Sequence, residues 1–344
     1  MSAAARTPIV HPAAWRASDF ASKAALSVDL QARHVAALER AARILEDAPV
    51  APGSLRAEHF PLDDISADVA AWRRTVRAGR GLLLLRGFPV HAVEQAVIEQ
   101  MYFGLGLHFG RPVSQSKMGD LLGHVVNVGG KDRRERAYRN SLELHLHTDR
   151  CDHVAMLCLR PAWQGGVSGY ASAVTVHNLM LAERPDLLEH LYSGYRLHRF
   201  GEQLPGEPPV TLIPVPVFSR CEDAFSVIYL RGYVDLAEQE FGITLSRAQR
   251  EALEVFEAIA DRPEVRLNFT LEPGEATFFN NCLVLHTRDA FEDHPDPALR
   301  RHLMRLWLMQ DGRPAVEGAR LHKGSGGITP QHGQGTYYAG PAAG

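Results

Sequence analysis

The feature that most constrains this chain is a change of texture near residue 111. Beyond it, short apolar segments recur between turn residues, at 124–128, 154–160, 210–218, 225–229, 265–271, 276–285 and 302–309. Segments of this length at this density predict an all-β sandwich or barrel. The run Leu271-Glu272-Pro273-Gly274-Glu275-Ala276 supplies the backbone angles of a tight turn between two of them. Two amphipathic stretches interrupt the strands. One covers 175–191, and the other covers 246–260 and opens with the capping-box pattern Ser246-x-x-Gln249.

Upstream the pattern is helical. Apolar residues at helical spacing predict helices over 29–45, from Ser66 through Val76, and over about 92–105, with a short buried strand at 82–85. Residues 1–28, broken by Pro8 and Pro12, read as a loosely docked arm. The expectation is one unit, mainly β with flanking helices. Residues 1–80 form an arm and helical layer, 81–312 the catalytic domain, and 313–344 a Gly-rich tail. The glycines at 104, 106 and 110 follow a helix pattern rather than a strand, so they predict a turn and not a dinucleotide loop.

Composition narrows the partners. A net charge of −3 over 344 residues gives no footprint for nucleic acid. The local basic run of Lys131, Arg133, Arg134 and Arg136 is interrupted by Asp132 and Glu135, as in a solvated loop. No apolar run approaches a membrane span, and no signal-peptide pattern opens the chain, so a cytoplasmic location is expected. The four cysteines form no CxxC pair, which argues against structural zinc and against a disulfide framework. A small-molecule substrate is the expected partner, and a homo-oligomer stays open.

The chemistry concentrates in Leu144-His145-Leu146-His147-Thr148-Asp149. Side chains alternate along a strand, so His147 and Asp149 present an imidazole and a carboxylate to one point. His145 shares that face and could serve instead, but only His147 has a carboxylate two residues on. A second imidazole could come from His286, which ends the apolar run from Ala276 and lies 139 residues beyond His147 (286 − 147). Fifteen residues later (301 − 286), alternation puts Arg301, Leu303, Arg305 and Trp307 on one face of an apolar strand. Buried guanidinium groups are costly unless each meets an anion, and 2-oxoglutarate carries two carboxylates suited to bidentate arginine contacts. Two imidazoles and one carboxylate leave three iron coordination positions open, the facial arrangement of non-haem Fe(II) oxygenases.

These motifs, with Gly165-Gly166-Val167-Ser168 and Phe279-Asn280-Asn281, resemble those of the taurine dioxygenase-like (TauD/TfdA) family over about residues 81–312. The resemblance implies a double-stranded β-helix (jelly-roll) core. It makes His147, Asp149 and His286 the Fe(II) ligands and Arg301 the grip on the distal carboxylate of 2-oxoglutarate. Ser168 stands where the family commonly has threonine, hydrogen-bonding that same carboxylate. Arg305 resembles the second arginine, near the iron-side carboxylate or an anionic substrate. The implied reaction consumes O₂ and 2-oxoglutarate, releases succinate and CO₂, and oxidises a C–H bond. Asp149 fills the position that related halogenases leave open for chloride, which favours hydroxylation. Glu143 and Asn140 are candidate substrate contacts, and Glu143 would suit an amino-acid-like or betaine-like molecule. The Pro-, Gly- and Glu-rich loop 201–209 is a candidate lid. A cupin-like hydrolase or isomerase could share the three ligands, but would not require the two inward arginines. A non-catalytic relative would be expected to have lost a ligand.

Overall fold

A computed structural model describes residues 7–129, 139–324 and 326–331. The basic run at 131–136 and the last part of the expected tail, 332–344, lie outside the described residues.

The N-terminal third supplies β1 (Ser27–Asp29), α1 (Ala32–Asp47), α2 (Ser66–Arg77), β2 (Leu82–Arg86) and α3 (Gln95–Leu107). Strands then dominate: β3 (Arg111–Pro112), β4 (Leu122–Val125), β5 (Leu144–His147), β6 (His153–Arg160), β7 (Gln164–Gly165) and β8 (Ser168–Ser172). An insertion carries α4 (Ala173–Glu183), α5 (Pro185–Ser193), β9 (Phe218–Cys221), β10 (Ala224–Val227), α6 (Arg231–Phe241) and α7 (Arg247–Ala260). The chain closes with β11 (Arg266–Phe269), β12 (Glu275–Asn280), β13 (Val284–Arg288), β14 (Phe291–Glu292), β15 (His302–Met309) and α8 (Glu317–Lys323).

Two sheets form the jelly-roll core. The larger has the order β1-β2-β12-β6-β15-β3, with β4 also on β15, and the smaller has the order β11-β8-β13-β5. Strands β2, β6, β12 and β15 are buried on both faces, so they read as continuous apolar runs, as expected where helices cover one face of a sheet. Alternation still sorts their side chains. Leu83, Leu85, Ala155, Leu157, Met304 and Leu306 pack outward against the N-terminal helices. Leu82, Leu84, Val154, Cys158, Leu303 and Trp307 pack inward, between the sheets. The inward face is the one that carries the site.

Several expectations change. The apolar run 276–285 is two strands, not one: β12 belongs to the larger sheet and β13 to the smaller, and the chain crosses between them at Asn281–Leu283. The turn at 271–276 likewise joins β11 to β12 across the two sheets rather than closing a hairpin. The helix expected at 175–191 breaks at Arg184, because Pro185 can start α5 but cannot continue α4. Helix α6 was not anticipated. Gly104 and Gly106 lie inside α3, not in a turn. A Cβ on Gly104 would sit 2.2 Å from the Phe60 ring, and one on Gly106 would sit 2.5 Å from Leu306 Cδ1. The glycines therefore let α3 press onto its neighbours.

The N-terminal arm is tightly docked. Ala13 and Trp15 are buried. Ser172 Oγ donates to the Ala13 carbonyl, Thr175 Oγ1 to that of Trp15 (2.6 Å), and Trp15 Nε1 to that of Arg80 (2.7 Å). The first part of the expected tail is also folded: α8 packs on the core, and Ile328 is buried. All four cysteines are free, and Cys151, Cys158 and Cys282 are buried. Among the described residues, no helix is long and apolar enough to cross a membrane.

Candidate metal centre and co-substrate cavity

Strand pairing brings the two imidazoles together. In the β5–β13 ladder His147 lies directly opposite His286, and their ring centroids are 4.1 Å apart. The ladder then slips: Arg288 pairs with Leu144, so two steps on β13 match three on β5. Such a bulge re-aims side chains. Leu144 turns into the cavity beside His147, while His145 turns out, its side chain 77% exposed and 3.4 Å from Glu143. The choice between His145 and His147 is thus made by the ladder.

Asp149 lies just beyond the end of β5, so strand alternation alone does not aim it. Thr148 continues the chain's pairing, with its N–H on the Tyr229 carbonyl and its Oγ1 accepting from the Tyr229 N–H (2.9 Å each). Asn281, in the crossing between β12 and β13, then clamps the backbone. Its Oδ1 accepts from the Asp149 N–H (2.9 Å), and its Nδ2 donates to the carbonyls of Asp149 (2.8 Å) and Cys151 (2.7 Å). Trp307 Nε1 donates to Asp149 Oδ2 at 2.8 Å and fixes the carboxylate plane.

The result is a compact donor set. One ligand atom from each of His147, Asp149 and His286 lies within 4.8 Å of the others. His147 Nε2 is 3.9 Å from Asp149 Oδ1, and His286 Nε2 is 3.6 Å from Oδ2. His147 Nδ1 contacts the His145 carbonyl at 2.8 Å, which assigns the ring proton to Nδ1 and leaves the Nε2 lone pair facing Asp149. Burial, with His286 adding to it, pushes His147 down to about 3, so the ring is neutral as a metal ligand must be. Burial alone would raise Asp149, but Arg305 and the two imidazoles outweigh it and hold the carboxyl well below its ordinary range. Two imidazoles and one carboxylate fit an Fe(II) ion with one side open.

Arginines line the adjoining cavity, together with His147, His286 and Ser168. Arg301 is 4% exposed, and its Nη1 has no hydrogen-bond partner among the described residues. Burial pulls its pKa down to about 10. Arg288, on β13 two residues past His286, is equally buried and is pulled down to about 9 by burial and by Arg301. Both guanidinium groups stack on Phe291, at 4.8 and 4.9 Å. Ser168 opens β8 opposite Arg288. It follows the turn at Gly165-Gly166, where a Cβ on Gly165 would lie 2.3 Å from the Ala290 carbonyl oxygen.

Arg305 is held differently. Its Nε donates to Gln115 Oε1 (2.7 Å), while Gln115 Nε2 donates back to the Arg305 carbonyl (2.8 Å). Its Nη1 lies 3.6 Å from Asp149 Oδ2, and the guanidinium stacks 4.9 Å from the Trp307 ring. His147, Asp149, His286, Ser168, Arg301 and Arg305 therefore converge. The two candidate substrate contacts do not join them. Glu143 points to solvent beside His145. Asn140 is buried but engaged locally, its Oδ1 accepting from the Leu142 N–H and its carbonyl from Arg288 Nη2. Sequence reasoning missed Arg288 and Gln115. Alternation from His286 could have found Arg288, whereas nothing near Gln115 marks it.

The profile of the family described as "Taurine catabolism dioxygenase TauD, TfdA family" matches residues 46–307. The chain is 32% identical over 293 residues to FR-33289 synthase of Streptomyces rubellomurinus, covering 83% of this chain and 86% of that one. Among solved structures, an asparagine oxygenase in complex with Fe(II), 2S,3S-3-hydroxyasparagine and succinate superposes with a TM-score of 0.64. It is 22% identical and covers 83% of this chain and 93% of its own. The non-heme iron oxygenase OrfP, in complex with Fe and alpha-ketoglutaric acid, gives 0.62 at 14% identity, covering 83% and 94%.

Proposed function

The chain belongs to the TauD/TfdA family of Fe(II)/2-oxoglutarate-dependent dioxygenases, and from that premise we propose that it hydroxylates a small anionic, amino-acid-like metabolite. The observation that carries this reading is the buried Arg301, with an unpartnered Nη1, in the same cavity as His147 and His286. A guanidinium in that state calls for an anion, and a dicarboxylate that also chelates metal meets both needs. Bound at His147, Asp149 and His286, Fe(II) supplies the redox chemistry that links decarboxylation of 2-oxoglutarate to C–H oxidation.

The protein's own groups do the rest by placement. Trp307 and Asn281 hold Asp149 so that its carboxylate faces the imidazoles without rearrangement. Arg301, with Ser168 at the cavity wall, receives the distal carboxylate of the co-substrate. Phe279, Leu144 and Met156 line the same space and keep water from it. Arg305, clamped by Gln115 and directed at the metal side of the cavity, is the group for a second anion, and it favours an anionic substrate. Glu143 stands outside the cavity, so no cation site is assigned to it. The 3-hydroxyasparagine held by the asparagine oxygenase, and the (3S)-hydroxy-L-Arg held by OrfP in a further complex with Fe and succinate, support an amino-acid-like class. Asp149 as a carboxylate ligand favours hydroxylation over halogenation.

The test is anaerobic addition of Fe(II) and 2-oxoglutarate to the purified protein. A weak metal-to-ligand charge-transfer band is expected in wild type and lost in Asp149→Ala and His286→Ala. Succinate release is then followed across a panel of amino acids and small carboxylates, phosphonates and sulfonates. A wild-type protein that gives no band, or variants that bind the metal as wild type does, would overturn the assignment.

A further inference from the structure

A second polar cluster, which contains none of the candidate metal ligands, is buried where α8 meets the crossing between β12 and β13. Lys323 Nζ lies 2.8 Å from Asp152 Oδ1 and 3.0 Å from Cys282 Sγ. The thiol in turn donates to the same Asp152 oxygen at 3.5 Å, and Asp152 Oδ2 accepts the Gln310 N–H at 2.9 Å. Cys282 is fully buried, and Asp152 and Lys323 are 2% and 8% exposed. A cavity lined by Lys323, Asp152, Ser226 and Arg313 adjoins the cluster on its Lys323 and Asp152 side.

A buried ion pair needs no thiol, and a thiol buried for packing alone needs no ammonium. Here nitrogen, sulfur and a carboxylate meet at one point, with Asp152 placed to accept a proton from either partner. We infer that Lys323 and Cys282 are a covalent modification site, joined through a single oxygen atom as an Nζ–O–Sγ bridge when the protein is oxidised. The oxidant is dioxygen, the co-substrate of the enzyme's own reaction. One O–S and one O–N bond form, and the O–O bond breaks. Nitrogen and sulfur are oxidised, and the second oxygen atom leaves as water. Of the three hydrogens lost from the ammonium and the thiol, two enter that water and the third departs as a proton through Asp152. Burial alone would lower the Lys323 pKa, but Cys282 and Asp152 more than offset it, so the amine must first give up that proton to the carboxylate. Two equivalents of a dithiol return the amine and the thiol, the N–O and O–S bonds breaking, the bridging oxygen leaving as water and two disulfides forming, as for other reversible cysteine oxidation products.

The bridge would span 41 positions of sequence and tie α8 to the turn that contains Asn281, whose side chain clamps Asp149. The inference does not rest on the proposed substrate.

The experiment uses the full chain, metal-free, held in aerated buffer with or without dithiothreitol and then digested without reduction. Mass spectrometry is expected to find the Cys282 peptide joined to the Lys323 peptide, with one oxygen gained and two hydrogens lost. The species should vanish on reduction and in Cys282→Ser and Lys323→Arg. The arginine variant keeps a cation beside Asp152, so its fold survives. Dithiothreitol should lower the Tm of wild type and leave that of Lys323→Arg unchanged. Recovery of Cys282 only as free thiol, sulfenic or sulfinic acid in aerated wild type would overturn the assignment. So would an equal Tm response in the two proteins.

Discussion

At the scale of single residues, the site is a problem of charge placed where water cannot reach. Arg301 and Arg288 share one aromatic face and are both pulled below the ordinary arginine range by burial. Such a pair is tolerated when an anion completes it, which ties co-substrate affinity to Arg301. Replacing Arg301 with Gln removes charge-assisted bonds worth about 1.5–3 kcal/mol each. The KM for 2-oxoglutarate should therefore rise by about 10–100-fold, with a smaller change in the metal affinity measured by anaerobic titration. Trp307 acts on the metal instead. Trp307→Phe deletes the 2.8 Å bond to Asp149 Oδ2 and leaves an aromatic ring in place. Fe(II) affinity should fall by about 10–100-fold, as for other groups that orient a metal ligand, while the far-UV circular dichroism stays that of wild type. Unchanged iron affinity in this variant would show that Asn281 alone suffices to hold Asp149.

Elements explain why those residues meet. The three ligands come from two neighbouring strands of the smaller sheet and the segment just past one of them, and the clamps come from β15 and the crossing between sheets. That crossing is invisible in the apolar run 276–285, because a strand buried on both faces shows no alternation to mark where it changes sheet. By contrast, β15 was legible to its ends: Leu303, Arg305 and Trp307 share the inward face, and Arg301, just before the strand, lines the same cavity as Arg305. The glycines of α3 make a test at this scale. Gly104→Ala is favourable to an isolated helix, yet its Cβ would meet the fully buried Phe60 ring at 2.2 Å. Overpacking of this kind costs about 1–3 kcal/mol, so the urea midpoint should drop. A rise would mean that Phe60 can move aside and helix propensity decides.

For the whole molecule, the two faces of the larger sheet carry different duties. The outer face stacks on helices α1 to α3, and the inner face opens on the cavity. The arm at 7–28 and helix α8 close the ends, although the sequence there, rich in Pro, Ala and Gly, suggested loose segments. Burial of neutral histidines gives the fold a pH dependence of definite sign. In the metal-free protein, burial pushes His147 and His153 down to about 3, while in the unfolded chain they protonate near 6.5. Between those values the unfolded chain binds more protons, so stability declines as pH falls from 6.5 toward 3, by roughly 1.4 kcal/mol per unit for each ring. Urea unfolding at pH 7, 6 and 5 should give falling midpoints. A flat series would mean that these rings stay accessible to protons.

The residue types of the site were legible in the sequence: a histidine with a carboxylate two positions on, a distal His286 to which the family resemblance pointed, and two arginines that a two-residue period puts on one face of an apolar strand. Which histidine of the pair near Asp149 faces the metal was not. His145 and His147 have the same parity, and only the bulge against β13 turns one outward and the other in. Nor could spacing place Asp149, which lies past the strand and is aimed by Asn281 and Trp307 from two distant segments. Period and chemistry are local and survive in a one-dimensional string. Register, bulges and the clamps behind a ligand are relations between strands, and they come into being only when the two sheets close.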